Sequence, residues 1–400
     1  MSEEQGGLKF RMSKGTVRAL VICNGYPSKR ALYKNGFIHS RVVQYRNAGL
    51  AVDVYYHHEP VISGYRYQYE GVDVYVGRSA DLKRHIAELS YDVFLVHFAS
   101  PERVLPLIEM SPQTPIICWI HGFEAEAWHR RWFNFIDSSK SIQEALDKKI
   151  EFYDSQTRFM KWFIENRSLK TTFVNVSHWF QNFVVEPDLR VSFDNSVVIP
   201  NPIDDRLFLA RKKNPEFRKR ILSIRPFASE KYANDLSVEC ILELSKRPFF
   251  KELKFEIVGQ GRLFKETLAP LDGFPNVEIT EGFLKPTEIF AAHARNGVFL
   301  CPTRFDSQGV SMCEAMSSGL VPVATNIAAI PEFAVNDSSA LLVPPESPLA
   351  LADAIEELYF DAELFSSLST KAASSIREIC GATAVSEAEL DLILDRACNT

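Results

Sequence analysis

Short apolar segments alternate with helical patterns along most of the chain, and this alternation limits the fold more than any other feature. Strand-type runs in the first half occupy residues 17–23, 51–57, 72–76, 92–97 and 115–121. Helical patterns between them occupy residues 37–49, 81–89 and 102–110. Parallel strands need such crossover helices, which cover both faces of the sheet. Because the alternation restarts after residue 220, the sequence predicts an α/β protein with two doubly wound, Rossmann-like sheets and a deep cleft between them.

A stiff and charged connector separates the two halves. In the segment PNPIDD two prolines bracket Asn201, and a basic run without clear periodicity follows at residues 211–220. We place a tail at residues 1–12, a first domain at 13–199, a second domain at 200–380 and a final helix at 381–400. The basic run is predicted to be a solvated loop, and a patch that binds membrane phosphates is the alternative.

Composition and the absence of certain motifs exclude several classes of function. The 45 basic and 51 acidic residues give a net charge of −6, so no global basic field points to nucleic acid. Neither a GxGxxG after the first strand nor a P-loop is present. The 7 cysteines are scattered and no metal-site spacing of Cys and His occurs, so we expect reduced thiols and no metal. With no signal peptide and no apolar run of about 18 residues, a cytoplasmic location is expected.

Residues 124–168 differ from the rest of the first half, because aromatic and basic side chains lie side by side in a long helical stretch. Trp128, Arg130, Arg131 and Trp132 stand near its start. One interpretation is an inserted pair of helices that packs its aromatic residues on the first domain. The other is an acceptor groove or a contact with the membrane surface, since Trp and Arg favour the headgroup region.

The segment 296–333 reads as strand, loop, helix and strand, and it contains two prominent acids. Asp306 lies in the loop and Glu314 in the helix, with seven residues between them. Glu314 follows the predicted helix start by about one turn, so it lies near backbone N–H groups that have no partner within the helix. A carboxylate beside free N–H groups can hold a ligand that carries both hydroxyls and phosphate.

Two cations are expected at the same edge of the second sheet. Arg225 ends a strand and Lys231 follows in the segment RPFASEKY, where the pair suits a diphosphate. The alternative is an ordinary surface ion pair with Glu230 or Asp235. Other strand ends and helix starts carry weaker signals, each of which is equally compatible with a structural role: Gly36, His121, Gly259 and Gly261.

In their order and spacing these motifs resemble the retaining glycosyltransferases of family four, which have the GT-B architecture. The two-acid signature of that family corresponds to DSQGVSMCEAMSSG, which runs from Asp306 to Gly319. Its Arg and Lys correspond to Arg225 and Lys231, its connector to PNPID, and its VGxG motif to VGQG. The similarity extends over nearly the whole chain and is strongest in the second domain.

The resemblance implies that these residues bind a nucleoside-diphosphate sugar. Arg225 and Lys231 would hold the diphosphate, and Glu314 would bind the ribose. Asp306 would contact hydroxyls of the sugar, and His121 would lie near the sugar that is transferred. The remaining donor-binding positions would be Gly36, Gly259, Gly261, Gly309, Val310 and Ser311.

The same resemblance implies the reaction and its setting. A hexose-type sugar would pass with retention of configuration to a glycan or lipid-linked acceptor, without a metal or a cofactor, in surface polysaccharide or glycoconjugate assembly. The first domain would face the acceptor, the second would bind the donor, and the final helix would cross back to the first domain. A peripheral contact with the inner face of a membrane is also implied, and no nucleic acid is expected as a partner.

Three positions depart from the family pattern. Asp306 is one methylene shorter than the usual Glu, Tyr232 replaces a glycine after Lys231, and Ala328-Ala329 replaces Gly-Gly. Two alternatives of other classes therefore stay open. One is a GT-B subunit that binds nucleotide sugars without transferring them, and the other is a GT-B sugar epimerase.

Overall fold

Two parallel sheets, each covered by helices on both faces, organise the chain. The computed structural model describes residues 16–29, 31, 34–130 and 138–398. The first sheet has eight strands in the order β3-β4-β2-β1-β5-β6-β7-β8. Its strands are β1 Arg18–Cys23, β2 Ala51–His57, β3 Tyr65–Tyr69, β4 Val72–Gly77, β5 Val93–His97, β6 Ile116–Ile120, β7 Thr171–Asn175 and β8 Ser196–Val198. All of its pairings are parallel except β3 with β4, which is antiparallel.

Helices connect these strands and cover the sheet. They are α1 Gly36–Asn47, α2 Ser79–Glu88, α3 Pro101–Met110, α4 Ser139–Lys148, α5 Asp154–Glu165, α6 His178–Phe180 and α7 Glu186–Leu189. A π-helical turn at Lys149–Tyr153 joins α4 to α5. None of the helices in the described ranges combines the length and apolarity that crossing a bilayer requires.

The second sheet has six strands in the order β11-β10-β9-β12-β13-β14, all of them parallel. Its strands are β9 Arg220–Ile224, β10 Lys254–Gly259, β11 Val277–Glu281, β12 Val298–Leu300, β13 Val321–Thr325 and β14 Leu341–Val343. The helices of this half are α8 Asn234–Ser245, α9 Phe264–Leu268, α10 Pro286–Arg295, α11 Val310–Ser317, α12 Ile330–Phe333, α13 Pro348–Phe360 and α14 Ala362–Cys380. The predicted α/β fold with two doubly wound sheets is therefore confirmed.

Alternate residues of each central strand enter different apolar cores, which explains why the strands are apolar throughout. In β1, Leu20 and Ile22 pack in one cluster, whereas Ala19 and Val21 pack in the cluster on the opposite face. The edge strand β3 was missed because its sequence YRYQY is largely exposed and its turn is unusual. Glu70 and Gly71 form that turn with φ values of 46° and 75°, a conformation usually signalled by Asn-Gly or Asp-Gly.

The last helix, α15 Ala382–Cys398, leaves the second half and packs on the first. Val385, Leu390 and Ile393 join the core cluster that contains residues of β1 and α1. Glu389 on this helix accepts a hydrogen bond of 2.8 Å from Arg41 Nε, and both side chains are 1% exposed. A buried ion pair with this geometry fixes where the helix can dock.

Two polar contacts complete the shell around Glu389. The Tyr45 hydroxyl donates to its second carboxylate oxygen at 2.6 Å, and Trp119 Nε1 donates to the first at 3.2 Å. Both donors lie on elements of the first half. A carboxylate that accepts hydrogen bonds from three different side chains is therefore the polar anchor of α15.

The basic run at 211–220 is only partly the solvated loop that the sequence predicts, since Arg211 and Lys212 are exposed but other basic residues are packed. Lys213 is buried, and its ammonium group donates to the backbone oxygen of His293. Arg218 Nε donates to the backbone oxygen of Tyr359 at 2.9 Å. Backbone carbonyl oxygens, and not only carboxylates, can accept hydrogen bonds from Lys and Arg. The sequence does not show which carbonyls lack another donor.

The inserted helices have one packed and one exposed side. Met160 and Phe163 are fully buried against the first sheet, whereas Ile150 is 72% exposed and Trp162 is 42% exposed. Arg130 pairs with Asp188 at 2.5 Å and therefore does not present a free charge to a partner. Arg131 and Trp132, which belong to the same prediction, lie outside the described residues.

We expect Glu389→Ala to lower the free energy of unfolding by about 3–5 kcal/mol, because Arg41 would keep a buried charge without its partner. Urea denaturation measures the change. Glu387 is exposed on the same helix and provides the control, since Glu387→Ala should change the free energy of unfolding by about 0.5 kcal/mol or less. Equally small effects of both substitutions would show that the buried pair does not anchor α15.

Candidate active site

The carboxyl edge of the second sheet brings the two predicted cations beside the predicted loop. Arg225 follows β9, and its N–H group donates to the backbone oxygen of Val258 in β10 at 3.1 Å. Lys231 lies in a short 3₁₀ turn, and its backbone oxygen accepts hydrogen bonds from the Arg304 N–H group at 2.8 Å and the Thr303 hydroxyl at 3.1 Å. The segments around 225–231 and 303–309 are therefore neighbours at one strand edge, as the sequence predicts.

Arg225 is a buried cation with an incomplete set of partners. It is 5% exposed, and its Nη1 group donates to the Ser311 hydroxyl at 3.1 Å. Its Nε and Nη2 atoms are buried and have no hydrogen-bond partner among the described residues. Asp306 Oδ2 lies 3.9 Å from Nη2, which is too far for a hydrogen bond. Because unpaired buried donors are costly, this guanidinium is suited to receive an anion.

Lys231 does not form the surface ion pair that was the alternative for it. Asp235 accepts hydrogen bonds from Arg304 at 2.7 and 2.8 Å, so that carboxylate is already engaged. Within the described ranges, Lys231 has no carboxylate partner. Its ammonium group lies 5.0 Å from the centre of the Tyr232 ring, and the Arg225 guanidinium lies 5.1 Å from the same centre. Tyr232 therefore contacts both cations.

The start of α11 adds backbone donors to the same place. Gly309 precedes the helix with φ of 78°, a left-handed conformation that glycine adopts without a steric penalty. The N–H groups of Val310 and Ser311 have no acceptor within the described part of the chain. Together with Arg225, these groups form a region of positive potential at a helix N-terminus.

Asp306 is used by its own loop. Its Oδ1 atom accepts hydrogen bonds from the N–H groups of Gly309 at 2.7 Å and Gln308 at 3.2 Å. The second oxygen faces Arg225. Asp306 therefore lies at the predicted site, but its Oδ1 atom binds the turn before α11 and only Oδ2 faces Arg225.

Glu314 lies half-buried on α11, and its carboxyl makes no hydrogen bond or ion pair with another residue of the described ranges. Burial raises the pKa of Glu314 to about 7, and the negative charge of Asp204 in the connector adds to this shift. Near neutral pH the side chain can therefore present either an acceptor carboxylate or a neutral carboxylic acid to a ligand.

The glycines of VGQG have a packing function at this edge. A Cβ atom on Gly259 would lie 2.1 Å from the backbone oxygen of Arg225, and one on Gly261 would lie 2.2 Å from the carbonyl carbon of Phe227. Both glycines let the 225–228 segment cross close to the end of β10. Their immediate neighbour is this backbone, which in turn places Arg225.

His121 and Gly36 lie together in the first half. His121 follows β6, and the ring of Phe37, next to Gly36 at the start of α1, lies 5.1 Å from the His121 ring. A Cβ atom added to Gly36 would meet no described residue within 4 Å, so within the described ranges the start of α1 is open at this position. Burial lowers the pKa of His121 to about 3, and the charge of Arg41 adds to the effect, so the imidazole is neutral.

Glu124 is a buried acid beside His121 that the sequence analysis did not single out. Its Oε1 atom accepts a hydrogen bond from the His121 N–H group at 2.5 Å, while Oε2 is buried without a partner. Burial raises the pKa of Glu124 to about 7. Its position just after a strand-end His-Gly pair is the only sequence signal that could have identified it.

Gln308 was also missed, although it binds the connector residue Asn201, which in turn contacts the first half. Its side chain donates to the backbone oxygen of Asn201 at 2.9 Å and accepts from the Asn201 N–H group at 2.7 Å. Arg41 Nη2 donates to the Asn201 side chain at 3.3 Å. A continuous polar chain therefore runs from Glu389 through Arg41 and Asn201 to the loop before α11.

Comparison with solved structures identifies the architecture. Sucrose-phosphate synthase from Thermosynechococcus elongatus aligns with a TM-score of 0.69 at 12% identity, over 96% of this chain and 100% of that one. The Anabaena protein HepE, solved in complex with UDP and glucose, aligns with a TM-score of 0.66 at 12% identity, over 94% and 99% of the two chains. The chain has the GT-B fold.

Sequence comparison gives matches concentrated in the second half. A family model described as "Glycosyl transferases group 1" matches residues 218–361. The sulfoquinovosyl transferase of Arabidopsis thaliana is 34% identical over 133 residues, which is 31% of this chain. That match spans 26% of the length of the plant protein, about a quarter. The matched family segment contains Arg225, Lys231, Asp306 and Glu314.

The raised pKa of Glu314 predicts a pH-dependent stability. A carboxyl with a pKa of about 7 in the folded chain and an ordinary value of 4.5 binds more protons when folded. Its stabilising contribution is therefore full below about pH 4.5 and is lost as the pH rises through about 7. As the pH rises from about 5 to 7.5, the free energy of unfolding should fall less for Glu314→Gln than for the unsubstituted chain. Urea denaturation at each pH measures this difference.

The control for this prediction is Glu278→Gln on the exposed side of β11, which should keep the original pH profile. Because Glu124 also has a raised pKa, only the difference between the Glu314 variant and the unsubstituted chain is informative. If the free energy of unfolding had the same pH dependence in Glu314→Gln and in the unsubstituted chain, the burial of the Glu314 carboxyl would be contradicted.

Proposed function

We propose that this protein is a glycosyltransferase that uses a nucleoside-diphosphate sugar and retains the anomeric configuration. The observation that carries the proposal is the Arg225 guanidinium, buried with two unpartnered nitrogen atoms beside the free N–H groups that open α11. An anion with several oxygen atoms, such as a diphosphate, satisfies all of these donors at once. The match to group 1 glycosyltransferases over residues 218–361 supports the same conclusion.

The proposed transfer depends on stabilising the leaving group. The acceptor oxygen forms a bond to the anomeric carbon while the bond from that carbon to the phosphate oxygen breaks. Arg225, Lys231 and the dipole of α11 neutralise the charge that develops on the departing diphosphate, so these groups can act without a divalent metal. The acceptor proton passes to the departing phosphate oxygen, and no enzymic base is required.

The remaining site residues have positioning functions in this proposal. Glu314 binds the ribose hydroxyls, and the free oxygen of Asp306 lies on the side where the donor sugar would meet Arg225. His121, as a neutral imidazole near the open start of α1, contacts the sugar from the first half. The Asp306 carboxylate is one methylene short and bound to its own loop, so only one of its oxygens is available to the sugar.

The acceptor is proposed to be a glycan or a lipid-linked saccharide that approaches from the inserted helices. Ile142, Ile150 and Phe152 are 49%, 72% and 43% exposed, although they are apolar. Lys148 is exposed in the same helical segment, as are the acids Glu144 and Asp147. This surface suits a peripheral contact with the inner face of a membrane and a place in surface glycoconjugate assembly.

One observation favours a second candidate function. Because Asp306 is engaged by the N–H groups of Gln308 and Gly309, the site has fewer free groups for the sugar than for the diphosphate. A subunit that binds nucleotide sugars without transferring them would have this property.

A donor panel distinguishes these functions. The purified protein is incubated with uridine, guanosine and adenosine diphosphate sugars, with and without saccharide acceptors, and the release of nucleoside diphosphate is measured. We expect nucleoside diphosphate to be released only when an acceptor is present. An α-linked donor should give an α-linked product. Binding without release would support the non-catalytic subunit, and an isomerised nucleotide sugar would support an epimerase.

We expect Arg225→Ala and Lys231→Ala each to lower kcat by roughly a hundredfold or more, because each removes one preorganised charge from the leaving group. Thermal unfolding checks that the variants are folded. The matched control is Lys254→Ala, an exposed cation at the opposite end of the same sheet in β10, which should leave kcat unchanged. Near-normal rates for Arg225→Ala would exclude the diphosphate assignment.

A further inference from the structure

His97, the last residue of β5, is a buried histidine with a single polar contact. It is 0% exposed, and its ring stacks on Trp119 at 4.7 Å with an interplanar angle of 23°. The His121 ring lies edge to edge with it, with ring centres 5.2 Å apart and planes inclined by 20°. Its Nδ1 atom lies 2.9 Å from His121 Nε2, which is a hydrogen-bond distance. Its Nε2 atom is buried and has no hydrogen-bond partner in the part of the chain that the structure describes. The ring is thus held in place by stacking and by one bond to a predicted site residue.

Both imidazoles are neutral, so one ring must donate to the other. Burial lowers the pKa of His97 well below its ordinary value and that of His121 to about 3, and the positive charge of Arg41 acts on both. A neutral imidazole carries one N–H group and one lone pair. The hydrogen bond between the rings therefore couples the two tautomers and leaves two arrangements, one with each ring as the donor.

The two arrangements differ at the buried Nε2 atom of His97. If His121 were the donor, His97 would carry its proton on Nε2, where a buried N–H group would have no acceptor. Orphaned buried N–H groups are rare and costly. If His97 is the donor, Nε2 keeps its lone pair, which the nearby Arg41 charge favours over an N–H group.

We infer that His97 is a positioning residue that donates its Nδ1–H group to His121 Nε2 and thereby holds His121 as the Nδ1–H tautomer. His121 then presents a hydrogen-bond donor, not an acceptor, beside Phe37 at the open start of α1. The part of this inference that concerns the sugar rests on the proposed function. There, the Nδ1–H group would donate to a hydroxyl oxygen of the transferred sugar.

The rigid surroundings of His97 support this assignment. Trp119, on which it stacks, is fully buried and donates to Glu389 at 3.2 Å. The His121 main chain is held in turn by Glu124. Neither ring can therefore flip about its Cβ–Cγ bond without disturbing several packed groups.

The direct test is ¹⁵N NMR of protein with labelled histidine rings, in which His121→Gln assigns the His121 signals among the 9 histidines. The chemical shifts should show His121 protonated at Nδ1 and unprotonated at Nε2. His97→Asn places an amide N–H group where Nδ1–H was and should keep this pattern. His97→Leu removes the donor and should give a mixture of the two His121 tautomers.

A His121 ring protonated at Nε2 in the unsubstituted protein would overturn the inference, and so would an unchanged pattern in folded His97→Leu. If His97→Leu does not fold, the unsubstituted protein and His97→Asn still decide the question. In transfer assays, His97→Leu should lower kcat/KM by roughly tenfold, the effect of one hydrogen bond, and His97→Asn should restore it. If no donor is turned over, the proposed function fails while the NMR result still determines the tautomer.

Discussion

An unsatisfied buried charge is the feature on which the candidate site depends. Arg225 has one hydrogen bond to Ser311 and two buried nitrogen atoms without partners, and Asp306 stops 3.9 Å short of it. Each unsatisfied buried donor costs about 1–3 kcal/mol, so the folded chain contains a local energetic cost that a bound anion would remove. The glycines of VGQG allow the close backbone crossing that holds the guanidinium there. Binding and fold therefore depend on the same few residues.

The two halves are connected by polar contacts in addition to the chain itself. Glu389 of the last helix binds Arg41, Arg41 reaches Asn201, and Asn201 exchanges two hydrogen bonds with Gln308. A second contact lies nearby, where the Glu332 carboxylate accepts the N–H group of His178 at 2.9 Å. Because Gln308 lies in the loop before α11, docking of α15 and placement of the 303–309 loop are physically linked. This link explains how a helix distant in sequence contributes to the site.

The fold was predictable because parallel strands buried on both faces have an apolar pattern that alternates with helices. The placement of Arg225 beside the 303–309 loop followed from the same rule, since strands of one sheet end at one edge. The partners of particular polar groups were not predictable. Nothing in the sequence shows that Asp306 turns back on Gly309, or that Lys213 finds a backbone carbonyl. Such pairings depend on loop conformations and distant contacts, which local patterns do not encode.

The central claim is that a nucleoside diphosphate binds between Arg225, Lys231 and the start of α11. A crystal structure of the protein with a bound nucleoside diphosphate tests it most directly. We expect diphosphate oxygens about 2.7–2.9 Å from the Nε or Nη2 atoms of Arg225 and beside the N–H group of Ser311. The claim would be contradicted by a diphosphate bound elsewhere, with both of these Arg225 nitrogens still unpaired.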